Sequence, residues 1–96
     1  MRVVSLPTLE DLRRFVRQTL CDHDKLDLEE SPFFEGQITR SGQPCGLFYQ
    51  VHGPRLLKLY AVWAADENRI LFYDATGVRF SEVRVSEAPD AGRLAA

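Results

Sequence analysis

Residues 46–74 read GLFYQVHGPRLLKLYAVWAADENRILFYD, and this stretch decides the fold. It contains three runs rich in Leu, Val, Ile, Tyr, Phe and Trp, broken by Gly53-Pro54 and by Asp66-Glu67-Asn68. Such runs between turn-forming clusters are strands, and connections this short join antiparallel neighbours. Working outward, residues 33–39 and 78–85 have the same character. They are bounded by Arg40-Ser41-Gly42-Gln43-Pro44 on one side and Ala75-Thr76-Gly77 on the other. The expected strands are therefore about 33–39, 46–52, 55–64, 69–74 and 78–85, forming a four- to five-stranded meander. The apolar phase slips between Phe80 and Val83, which predicts a β-bulge. Val3 to Leu6 is β-prone as well and short enough for an edge strand.

Ahead of the meander lies one helical pattern. Leu9, Leu12, Phe15, Val16 and Leu20 recur at helical spacing, with Glu10, Arg13, Arg14, Arg17 and Gln18 mostly opposite. Thr8 stands where a hydroxyl can cap the first turn, and Asp11 where a carboxylate can reach back to it. The helix is expected over about 8–21. Residues 22–32 follow as an acidic connector, in which the alternation of Leu26 and Leu28 with Asp27 and Glu29 leaves room for a short strand. The fold class is α+β: a helix packed on one face of an antiparallel sheet, a single domain over 1–88 with a flexible tail at 89–96.

The order of helix and meander resembles the cystatin-type wrap of a sheet around a helix. Gln50-Val51-His52-Gly53 is similar to the inhibitory hairpin of that family. The family's Q-x-V-x-G spacing would place Gln at position 49, where this chain has Tyr49, and Trp63 follows Val62 rather than a proline. The resemblance thus implies architecture and not protease inhibition.

Composition narrows the function classes. Of 96 residues, 45% are hydrophobic and 27% charged, the balance of a folded chain rather than a disordered one. The net charge of −2 argues against a dedicated nucleic-acid binder, whose footprint is basic. Two cysteines, Cys21 and Cys45, are too few for a secreted disulfide scaffold, and they are expected as free thiols. Met1 to Pro7 lacks the apolar core of a signal peptide, and no apolar run reaches the ~18–20 residues of a membrane span. The expected location is the cytoplasm.

Chemistry-bearing residues are sparse. Cys21, His23, Cys45 and His52 are the soft-ligand set, but their spacing is not that of a zinc site. Pairing His23 with Cys21 or Cys45 as base and thiol has no support from spacing either. The carboxylates of 22–35 miss the calcium-loop pattern and read as a solvated connector. No catalytic residue, metal or cofactor is expected, and the reading is non-enzymatic.

The informative feature is the second face of the sheet. Side chains alternate between faces along a strand. Leu47, Tyr49, Val51, Leu57, Leu59, Ala61, Trp63, Ile70 and Phe72 form one face, which matches the helix. The other should be polar if it met water, yet it carries Phe48, Leu56, Tyr60, Val62, Leu71 and Tyr73. Strong curling of the sheet, coverage by the Val3 strand and the tail, or unplaced bulges would account for this within one chain. A homodimeric or other protein interface on that surface is the leading expectation. The alternative is a small ligand or single-stranded nucleic acid held by Arg40, Lys58, Arg69 and Arg79 among the aromatics.

Overall fold

The computed structural model describes residues 2–90. In it the expected capping box closes: Asp11 N donates to Thr8 Oγ1 at 3.1 Å, and Thr8 N donates to Asp11 Oδ2 at 3.3 Å. With its first-turn donors satisfied, helix α1 runs Leu9–His23, two residues further than its apolar stripe predicts. Leu12, Val16, Leu20 and Cys21 are buried along one side.

Six strands accompany the helix: β1 (Arg2–Ser5), β2 (Phe33–Arg40), β3 (Gln43–His52), β4 (Lys58–Ala64), β5 (Arg69–Tyr73) and β6 (Arg79–Glu87). They form one open sheet in the order β1-β6-β5-β4-β3-β2. The meander β2 to β6 is antiparallel throughout, whereas β1 lies parallel to β6. The expected count of four to five strands is thus corrected to six. β1 joins the sheet beside a strand about eighty residues later, an adjacency that no hairpin signal announces. It is pinned there by Leu6 N donating to Glu87 O at 2.8 Å and by Ser86 Oγ donating to Val4 O at 3.2 Å.

Several boundaries move for local reasons. β4 begins at Lys58 rather than Arg55, because Arg55 and Leu56 adopt positive φ of 59° and 62° in the turn closed by Gly53 N donating to Leu57 O. β3 begins at Gln43 rather than Gly46, and an irregularity opposite Ile38 and Thr39 absorbs Cys45 as the extra residue. The bulge foreseen in the last strand falls at Phe80, between the pairs Phe72↔Ser81 and Tyr73↔Arg79. The connector contains turns and no strand: Asp27 Oδ1 accepts from the backbone of Glu29 and Glu30, and Leu26 packs on Gly53. Of the expected tail, residues 91–96 lie outside the described residues.

The inner face builds the core. Leu47, Tyr49, Val51, Leu59, Ala61, Trp63, Ile70, Phe72, Val83 and Val85 are buried together with the helix stripe and Leu6. Burying a large apolar side chain contributes roughly 1.5–3 kcal/mol, so this layer dominates stability. Backbones are close enough at one point to exclude a side chain: a Cβ on Gly46 would run into the Trp63 carbonyl oxygen on β4. Gly36, on β2, has open space at the same position. Gly46→Ala is expected to lower unfolding free energy by about 1–3 kcal/mol, while Gly36→Ala leaves it within about 0.5 kcal/mol or raises it slightly. Urea titrations of the two variants check the contrast.

Candidate functional site

Strand register assembles the outer face row by row. One row runs Phe34, Gln50, Tyr60, Tyr73; the next runs Gly36, Phe48, Val62, Leu71, Glu82; a third runs Ile38, Gly46, Ala64, Arg69, Arg84. Five of the six residues expected on this surface, Phe48, Tyr60, Val62, Leu71 and Tyr73, are therefore neighbours on adjacent strands. All five are half-buried. The rings of Phe48 and Tyr60 lie 5.8 Å apart across the β3–β4 pair. The sixth, Leu56, sits in the β3–β4 turn and is 91% exposed.

Sequence reasoning missed Phe34, which is 49% exposed on the same face and packs its ring 4.6 Å from His52. The signal was available: Phe33 and Phe34 are adjacent in a strand, so one of them must face outward. His52 in turn hydrogen-bonds Gln50 through Nε2 at 2.7 Å, so a polar side chain stands between Phe34 and Tyr60 in the row.

The opposite border is charged. Arg69 makes ion pairs with Glu67 and Glu82, both at 3.0 Å, and Arg79 reaches Glu82 at 3.5 Å. Arg40 lies 4.0 Å from Asp66. Three of the four cations named for nucleic acid thus have carboxylates beside them, and Lys58 stands on the outer face opposite His52. The hydrogen bond to Glu82, with the charge of Glu67 beside it, holds the Arg69 guanidinium even more firmly protonated than usual.

The soft-ligand residues do not converge. Cys21 is buried in the core, His23 stacks on Phe80 at 3.7 Å, Cys45 occupies the β3 irregularity, and His52 is on the outer face. Among the described residues no group of three or more His, Cys, Asp or Glu is placed to hold a metal ion. Burial pushes the Cys21 thiol up, the wrong direction for a nucleophile.

On the helix side, Arg13 clamps Glu35 with two hydrogen bonds of 2.8 Å. The fully buried Tyr49 hydroxyl lies beside the same carboxylate without meeting hydrogen-bond geometry. Arg13 holds Glu35 below the usual carboxylate range against the opposing effect of burial, and burial together with Glu35 keeps Tyr49 protonated far above its ordinary value. This ties α1 to β2, the strand at the far edge.

No family model, curated protein or solved structure matches the chain. The likeness to the cystatin-type wrap stays one of element order. No helix among the described residues is long and apolar enough to cross a membrane.

The Arg13–Glu35 pair has a pH signature. A carboxylate whose folded pKa is depressed contributes stability that is present above its unfolded pKa and lost as pH falls through the folded value. Glu35→Gln is expected to cost about 0.5–1 kcal/mol at neutral pH, because both side chains are partly exposed. The deficit should shrink below about pH 4, where wild type loses the same interaction. Denaturant titrations of both proteins across that range check it.

Proposed function

We propose that the chain is a non-enzymatic interaction module that forms a homodimer through the outer face of its sheet. The observation that carries this reading is the unbroken block Phe48, Tyr60, Val62, Leu71 and Tyr73, extended by Phe34, on the face that α1 does not reach. Six strands at about 4.8 Å spacing make a face roughly 24 Å wide and, at five residues of strand, about 17 Å tall. That is about 400 Å² in projection, before side-chain relief is counted. Each partner of a standard stable complex buries ~800 Å² of accessible surface, so the interface would take the whole face with its side-chain relief.

The layout also fits. Apolar side chains occupy the middle, and Arg69, Arg79, Glu82 and Arg84 stand at one border with His52 and Lys58 towards the other. A dry centre inside a charged rim is the common anatomy of interfaces. Two copies related by a two-fold axis would stack their sheets about 10 Å apart, and closed two-fold dimers are the commonest soluble assembly. The ion pairs of Arg40, Arg69 and Arg79 leave less free positive charge for a nucleic-acid backbone. A cytoplasmic setting fits the free Cys21 and Cys45.

Sedimentation equilibrium tests the proposal. Wild type is expected as a dimer at micromolar concentration, and Val62→Asp as a folded monomer, because a carboxylate would be desolvated at the centre of the interface. Lys58→Asp, at the rim, should leave the dimer within about tenfold of wild-type affinity. A monomeric wild type at high micromolar concentration overturns the reading.

A further inference from the structure

We infer that the groove between α1 and the acidic connector binds a small amphiphilic anion, a carboxylate or phosphate monoester carried on an apolar group. The groove has a volume of about 260 Å³ and is lined by Glu10, Arg13, Arg14, Arg17, Leu28 and Phe33. It lies on the helix side of the sheet and is independent of the outer face.

Its two halves differ in chemistry. Leu28 and the Phe33 ring form an apolar floor, and the ring is fixed by stacking on buried Tyr49 at 5.3 Å and 11°. Four residues of α1 at positions i, i+3, i+4 and i+7 form the wall, three of them arginines. These arginines are not equivalent. Arg13 is engaged by Glu35, and Arg14 stands 3.7 Å from Asp11. Arg17 pairs with no carboxylate among the described residues. Its guanidinium lies over the Phe33 ring at 5.6 Å, and its Nε is shielded from water without an acceptor.

A guanidinium with no carboxylate partner keeps its terminal Nη donors for an anionic oxygen entering the groove. The cation–π contact with Phe33 restrains the guanidinium, which reduces the ordering that binding requires. Glu10, on the groove wall, repels an extended polyanion while leaving one compact head group free to reach Arg17. The apolar floor then selects a head group with a hydrophobic body. The volume, below the ~300–1,000 Å³ of drug-sized pockets, admits little more than one ring.

Nitrogen-15 NMR of the whole chain, including arginine Nε–H resonances, tests this with phenyl phosphate in a phosphate-free buffer. Saturable shifts at Leu28, Phe33 and the Arg17 Nε–H are expected, with a Kd on the order of 1 mM for so small a ligand. Inorganic phosphate alone and benzyl alcohol alone should each bind at least about tenfold more weakly, each having half of the recognition. Arg17→Gln should weaken phenyl phosphate at least about tenfold with amide dispersion retained. Leu28→Ser, which removes the floor and no charge, should weaken it as well. No saturable shift at about 10 mM, or equal binding by Arg17→Gln and wild type, overturns the site. An equal response to inorganic phosphate overturns its assignment to amphiphiles.

Discussion

One helix against six strands is the constraint from which the rest of the structure follows. A helix is about 10 Å across, and a six-stranded sheet is about 24 Å wide. The apolar stripe of α1 therefore seals the middle of the inner face, where Tyr49, Trp63 and Phe72 are the largest buried side chains. It leaves a flank on either side. Aromatic residues fill these flanks. Phe33 lies on Tyr49 under Arg17; Phe80 lies 6.0 Å from Phe72 under His23; and Phe15 meets Phe72 edge-on beneath Arg2. Each ring extends the core sideways and is itself capped by a cationic or imidazole side chain. Broad apolar rings with polar lids let one helix close a layer wider than itself.

The parts of this arrangement that were legible in the sequence are those set by local rules. Thr8 and Asp11 mark the helix start because a capping box needs only residues three apart. The meander follows from Gly53-Pro54, Asp66-Glu67-Asn68 and Ala75-Thr76-Gly77, each joining strands whose neighbours are also neighbours in sequence. The two-face parity of β3, β4 and β5 was legible for the same reason. What escaped was non-local. β1 pairs with β6 across nearly the whole chain. Leu56 shares the parity of Tyr60 but is carried away by a turn that holds it at positive φ. Cys45, as an extra residue in β3, shifts the start of that strand without changing composition.

The candidate sites divide the same way. Outer-face residues on β3 to β5 could be listed from alternation alone, and the register aligns them in rows. The groove of Arg17, Leu28 and Phe33 could not be listed, because its residues come from three segments brought together by the connector. In the sequence, Arg17 reads as one more charge on the solvent side of an amphipathic helix. Only the fold sets it over Phe33 and removes its Nε from water. The Arg13–Glu35 clamp is of the same kind, since twenty-two positions separate its members.

These features bear on how the sheet would associate. β2 is an edge strand with Phe34, Glu35, Gln37, Thr39 and Arg40 exposed, and unpaired edges invite another strand. Edge-to-edge addition would extend the sheet while leaving Phe48, Tyr60, Val62, Leu71 and Tyr73 as uncovered as before. It would also lengthen the very surface that one helix per chain fails to cover. Face-to-face packing removes that surface from water in a single step, and hydrophobic burial is the larger contribution where rows of this size are concerned. The edge backbone can meanwhile remain hydrated at little cost. The same shortage of cover that recruits Phe15, Phe33 and Phe80 on the inner side thus favours a second sheet, rather than a seventh strand, on the outer one.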